Sequence, residues 1–288
     1  MRIVDDFVPI YTPKGDAFPG PDSDRLKAGT WYDDWVPNDH TFIRATDGTW
    51  HGLGITAPHT PPPNIHEGEW LSFHITSPAP TLGKSLEAGA WQEHPKVLAP
   101  AERPGERREF YAPFAIKRDG EFFLFYGPTD IRLATSTDLF HWRPLGTCFT
   151  QAGGARDPHV SVIDDLYHMV YVADQSLFLR TSRDLITWSE EPIEIFAMRR
   201  KGAPESPMLL QREGDFYLFW TIYDGTHGPY DNRTFLFRSD TPSDFRNAEE
   251  VALLLAHCPE LVQDMDGQWY ISSAEWPTRG VSMARFEW

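Results

Sequence analysis

"ATSTDLFHWRPL" at 134–145 and "RTSRDLITWSEE" at 180–191 share the pattern T-S-x-D-L-x-x-W, with Trp142 and Trp188 separated by 46 positions. The flanks repeat as well. "APFAIKRDGEFFLFYG" (112–127) matches "DPHVSVIDDLYHMVYV" (157–172), and "SPMLLQREGDFYLFWTI" (206–222) and "CPELVQDMDGQWYISSA" (258–274) continue the series. Each copy runs as a small or acidic residue, a Pro, an alternating apolar strand, a turn and an aromatic strand. The turns "RDGE", "IDDL", "REGD" and "MDGQ" carry hairpin chemistry. A fifth copy lies upstream, "DHTFIRATDGTWHGLGI" (39–55), with His40 where the others have Pro. Further strands come after these, among them "IRLATS", "LFLRTS", "TFLFRS" and "GVSMAR".

Hairpin-rich units of about 45–50 residues are the signature of propeller blades. The expectation is an all-β, five-bladed β-propeller, one domain over residues 1–288, with blades starting near 39, 112, 157, 206 and 258. The N-terminal "RIVDDFVPIY" is expected to close the ring by supplying a strand to the short last blade, removing an exposed edge. Segment 11–30 then reads as a linker, and "TAPHTPPPNIHEGEW" (56–70) as a loop over one face. The competing architecture is a β-sandwich with irregular loops.

Composition agrees with many strands and many turns: 11 Trp, 10 Tyr and 19 Phe stand beside 25 Pro and 21 Gly. No apolar run is long enough for a transmembrane helix, and a net charge of −16 argues against nucleic acid and anionic membranes as partners. The N-terminus shows no secretory leader, so a cytoplasmic location is expected. The two cysteines, Cys148 and Cys258, sit in no metal or redox spacing and read as small buried hydrophobes. HExxH, P-loop, GxSxG and strand-borne GxGxxG motifs are missing, which removes several enzyme classes.

In a propeller the innermost strand of each blade lines a central channel, so equivalent positions form a ring. Aligning the five starts gives Asn38-Asp39, Tyr111-Ala112, Arg156-Asp157, Glu205-Ser206 and His257-Cys258. Asp39 and Asp157 occupy one register, and Glu205 and His257 the adjacent one. Three carboxylates from three blades are therefore expected in one cavity. Crowding raises at least one pKa, so one group can give a proton while another stays anionic. That division of labour is what cleavage of a glycosidic bond requires. Arg156 can orient Asp157 or grip hydroxyls. Trp31, Trp35, Trp220 and Trp276 are candidate platforms for a sugar face.

"PNDH" (37–40), "ARDPHV" (155–160) and "PESPML" (204–209) resemble the acidic motifs of the five-bladed glycoside hydrolases of families 32, 43, 62, 68 and 117. The family 32 pattern is Asn-Asp-Pro, Arg-Asp-Pro and Glu-Cys, in the same order. The resemblance implies a glycosidase acting on a furanoside or small oligosaccharide. Asp39 would be its nucleophile or water-activating base, Asp157 its transition-state stabiliser or pKa tuner, and Glu205 its general acid. Asn38, Arg156, His257, Trp35 and Trp220 are the residues expected to bind substrate. His257 in "AHCPEL" resembles a channel histidine that in relatives sometimes sits beside calcium, so a structural calcium near the channel is compatible with it. No cofactor is required. His40 for Pro and Ser206 for Cys depart from the pattern and leave the sugar and the stereochemical course open.

The plainer alternatives are structural. A lone Asp before a strand caps a turn, Glu205 between two prolines can be a solvated loop residue, and His257 can be a satisfied core histidine. Glu260 and Glu275 are the fallback acids. His40 and His159 flank the acidic positions. The tryptophans of T-S-x-D-L-x-x-W read as inter-blade core. Two rival functions remain, a phosphorylase on this fold and a non-catalytic carbohydrate-binding propeller.

Overall fold

Three of the four expected hairpins close as two-residue left-handed turns, and "MDGQ" closes as the three-residue turn Met265-Asp266-Gly267. Asp119 and Gly120 have φ of 50° and 85°, Asp164 and Asp165 49° and 58°, and Glu213 and Gly214 54° and 92°. Positive φ at both central residues is what a right-twisted hairpin needs. The structure is a computed structural model that describes residues 1–13, 35–58, 69–199, 201–228 and 230–288. Trp31, the body of the Pro-rich insertion and most of the expected linker lie outside the described residues.

The hairpins build five antiparallel sheets. The first holds β3 (Trp35–Arg44), β4 (Trp50–Pro58), β5 (Leu71–Ser77) and β6 (Gln92–Val97). The second holds β7 (Tyr111–Arg118), β8 (Glu121–Gly127), β9 (Asp130–Ser136) and β10 (Arg143–Thr150). The third holds β11 (Arg156–Ile163), β12 (Leu166–Ala173), β13 (Ser176–Ser182) and β14 (Ile193–Ala197). The fourth holds β15 (Ala203–Arg212), β16 (Asp215–Tyr223), β17 (Arg233–Ser239) and β18 (Glu249–Leu255). The fifth has β19 (Leu261–Gln263), β20 (Trp269–Ala274) and β21 (Val281–Glu287), completed from the other end of the chain by β1 (Arg2–Ile3) and β2 (Val8–Tyr11). Ile3 pairs with Phe286 and Val8 with Met283, so the N-terminal segment covers the edge of β21 and closes the ring. β3 packs on β7, β7 on β11, β11 on β15, and β20 returns to β3. This is the five-bladed propeller, and the sandwich alternative falls.

T-S-x-D-L-x-x-W is a blade corner. Ser136 Oγ accepts from Leu139 N–H at 2.8 Å, and Asp138 Oδ1 accepts from Phe140 and His141 N–H, each at 2.8 Å. Ser182 and Asp184 repeat the arrangement around Leu185, at 3.0, 2.9 and 2.7 Å. Both leucines are fully buried, and Trp188 meets Phe125 edge-on at 5.6 Å in the packing between blades two and three. The polar residues hold the corner so that the apolar ones reach the core.

Two tryptophans expected to stack on sugar are core residues instead. Trp220 is completely buried between blades three and four, against Phe196, Phe235 and Phe237. The strand alternation of β16 turns it inward. Trp35 is 1% exposed, packs with Trp70 and Leu71, and lies under the Lys96 ammonium at 4.6 Å. Trp276 is half-buried beside Phe7.

Blade one also buries a histidine stack that no motif announced. His51 Nδ1 lies 2.9 Å from His74 Nε2, the rings stack, and Phe140 from blade two packs edge-on against both. Burial pushes His51 down to about 4 and His74 down to about 3, so both are neutral at pH 7. The unfolded chain takes up these protons at about pH 6.5. Stability contributed by the neutral pair is thus complete above that pH and is lost as pH falls towards 4 and 3. The Tm is expected to drop between pH 7 and 4.5, and by less in a His51→Gln/His74→Gln protein. An equal drop in both would place the acid sensitivity elsewhere.

Candidate active site

Each innermost strand is irregular at the channel end where it begins. Pairing shifts between Pro37 and His40 in β3, Tyr111 and Phe114 in β7, Arg156 and His159 in β11, and Glu205 and Met208 in β15. Before β19, His257 and Glu260 accept from Ala274 and Ser272 N–H and bracket the same two-residue break. Ala112, Asp157, Ser206 and Cys258 have φ of 42°, 56°, 46° and 43°. The residue after each is Pro, whose missing N–H costs nothing where the ladder is already open. Blade one differs from the sequence alignment. Its break brackets Asn38-Asp39, so Asp39 is the second residue of the break, whereas Asp157 is the first. Its first hairpin turn, Thr46-Asp47-Gly48, is one residue longer than the two-residue turns, and Asp39 stands where blades two to five have Pro.

A break in alternation lets neighbouring side chains face one space, and the acids use it. Asp39, Asp157, Ser206, Cys258 and Glu260 line a single channel with residues from all five blades. Ser206 joins two of the acids: its hydroxyl donates to Asp39 Oδ1, and its backbone N–H to Asp157 Oδ2 at 3.2 Å. Arg156 donates to the adjacent Asp157 Oδ2 and, at 2.9 Å, to the Pro204 carbonyl. Its Nη1 stands 4.0 Å from Glu205 Oε1. Glu205 is more open than Asp157, its side chain 25% exposed against 5%.

Burial dominates the charge states. It raises the Asp39 carboxyl above the usual range, against the Ser206 hydrogen bond, and the charge of Glu69 adds to the rise. It pushes Asp157 up to about 6, with Arg156 opposing and Asp39 reinforcing. Glu260, one layer further down the channel, is raised well above an ordinary glutamate by burial and by Asp39. Glu275, the other fallback acid, clips its own loop by accepting from Gly280 N–H at 2.7 Å.

The histidines are structural in position. His257 is 1% exposed, with Nδ1 2.7 Å from the Asp231 carbonyl and Nε2 3.0 Å from Asn38 Oδ1. It therefore ties Asn38 to blade four. His40 bridges the Asn38 carbonyl and Ser272 Oγ at 2.9 and 2.7 Å, and burial holds it neutral, down to about 4. His159 stacks on Phe114 at 4.4 Å and is pushed down to about 3. Among the described residues one group has metal-ligand spacing, Asp224, His227 and Asp231. Arg233 already offsets part of its charge, at 2.7 Å from Asp224 and 2.5 Å from Asp231. Cys148 and Cys258 are free thiols, the second buried in the channel.

Ser206 stood out in the sequence only as a departure from the acid motif, and Glu69 was not singled out. The signal for Ser206 was its place beside Glu205 in the repeat. Glu69 comes after the Pro-rich insertion, outside any repeat, and carried no signal. Losing the Ser206 hydroxyl removes a donor to the charged form of Asp39. In Ser206→Ala, the Asp39 carboxyl is expected to titrate about one pH unit higher by carbon-13 NMR. Ala112 adopts the same backbone conformation at φ 42°, so the fold accepts the change. An unchanged titration would contradict the bridge.

No family model matches the chain, and no curated protein matches it. Solved structures do. A thermostable family-43 glycoside hydrolase superposes with a TM-score of 0.68 at 13% identity, covering 88% of this chain and 90% of its own. The native Bacillus subtilis arabinanase gives 0.66 at 16% identity, covering 88% and 95%. A family-43 enzyme of Xanthomonas citri complexed with xylotriose gives 0.64 at 17% identity, covering 88% and 87%. At these identities the likeness concerns the fold: the chain has the five-bladed β-propeller architecture of these glycoside hydrolases.

Proposed function

We propose that the chain hydrolyses a glycosidic bond in a furanoside or small oligosaccharide. One observation carries this reading: carboxylates from blades one, three and four gather around one guanidinium, Arg156, which Asp157 touches, Glu205 approaches to 4.0 Å and Asp39 influences electrostatically. Glu205, more open than Asp157, is the general acid that protonates the leaving oxygen. Asp39 is the carboxylate below the anomeric carbon, oriented by the Ser206 hydroxyl, and serves as base or nucleophile. Asp157 and Arg156 form a buried pair that fixes the charge facing Glu205.

The phosphorylase alternative needs a cation for phosphate. Arg156 is committed to Asp157, Glu205 and the Pro204 carbonyl, which weighs against it. Calcium is not part of the reading. It takes about six to eight oxygen ligands, whereas His257 has both ring nitrogens engaged, and beside Glu260 the same layer of the channel holds Met208 and His159. The xylotriose bound by a fold neighbour brings xylosides into the test panel.

The test is an NMR time course with fructosides, arabinofuranosides and xylosides, with and without phosphate. Phosphate-independent release of a sugar is expected, and Asp39→Asn and Glu205→Gln should each lower kcat by roughly 10²–10⁴. A phosphate-dependent sugar phosphate would establish the phosphorylase instead. Binding without turnover would leave a carbohydrate-binding propeller.

A further inference from the structure

Tyr111, Arg156, Glu205 and His257 hold the same position in blades two to five, the last paired residue before the break in the inner strand. Three of the four have a job already described. Tyr111 has none, although it stands among the same groups. It lies within the electrostatic reach of Asp157 and Arg156 on blade three and of Glu69 on blade one. Residue 69 is pinned to its side, since the Glu69 carbonyl accepts from Phe110 N–H at 2.9 Å. The Tyr111 side chain is half-buried, and its hydroxyl makes no hydrogen bond among the described residues.

Donor and acceptor counts at the mouth give this phenol a role. Asp39 and Asp157 supply carboxylate oxygens, which receive the O–H groups of a sugar. The oxygen lone pairs of the same sugar need donors. Arg156 directs one N–H of one terminal nitrogen to Asp157 and one N–H of the other to a backbone carbonyl, so each keeps a single further N–H. The Ser206 hydroxyl is given to Asp39, and His257 is closed off beneath Asn38.

We propose that Tyr111 is a substrate-binding residue whose phenolic O–H donates to one hydroxyl oxygen of the sugar seated over Asp39. This rests on the glycosidase reading of the same site. The phenol stays protonated across the working range: burial, then the negative charges of Glu69, Glu109 and Asp157, push it up to about 12. Tyr111 thus adds a hydroxyl donor beside the Arg156 guanidinium and the carboxylates.

The experiment is equilibrium binding by calorimetry to the full chain. Its probes are the free monosaccharides of the panel sugars and, for the one that binds, each of its monodeoxy forms. Wild type is expected to lose about tenfold in affinity when one particular hydroxyl is missing. Tyr111→Phe, which keeps the ring, should bind the parent sugar about tenfold more weakly and no longer notice that deoxygenation. Tyr111→His restores a donor and should recover part of the discrimination, and it provides the comparison should the Phe protein fail to fold. A Tyr111→Phe protein that binds and discriminates like wild type overturns the proposal. Wild-type binding without hydrolysis overturns the hydrolase reading while the comparison still decides Tyr111. Binding of no panel sugar by wild type overturns both.

Discussion

The break in pairing at the channel end of every inner strand is the constraint on which the site depends. A regular strand sends successive side chains to opposite faces. Arg156 and Asp157 could not then touch, and Glu205 and Ser206 could not serve one cavity. Two residues facing one on the partner strand relax that rule locally, and the left-handed backbone at Asp157 and Ser206 re-aims the strand residues after them. Hairpins of similar length repeat the break around the ring. The convergence of acids far apart in sequence is a by-product of blade geometry.

What the carboxylates do there is set by a contest between burial and a few donors. Burial alone would leave Asp39 and Asp157 both reluctant to ionise. Arg156 opposes this at Asp157, and the Ser206 hydroxyl at Asp39, but burial prevails at both. Glu205 sits nearer solvent than Asp157, facing the same guanidinium nitrogen from 4.0 Å. One arginine and one serine thereby separate three like groups into different electrostatic settings, which acid–base chemistry at a single bond requires.

The architecture was legible because it repeats. T-S-x-D-L-x-x-W, the Asp-Gly turns and the alternating strands each state a local rule, and five copies state it together. The closing role of "RIVDDFVPIY" came from counting strands. Legibility failed where position in the ring outweighs residue type. Trp220 and Trp35 have the composition of sugar platforms, yet strand alternation and inter-blade packing bury them. The one-residue offset of blade one was hidden by a longer turn. Glu69 lies outside every repeat, so only folding brings it beside Tyr111. The His51–His74 stack joins neighbouring strands of one blade, a pairing that spacing along the chain does not reveal.

The central claim is that the strand breaks assemble one working mouth from three blades. A crystal structure of the Asp39→Asn protein soaked with the oligosaccharide it recognises tests this most directly. The account places a sugar ring over residue 39, with the glycosidic oxygen within hydrogen-bond reach of Glu205 and with Ser206 still bridging towards Asp157. A sugar bound on another face of the propeller, or Glu205 turned away from the bound glycosidic oxygen, would contradict it.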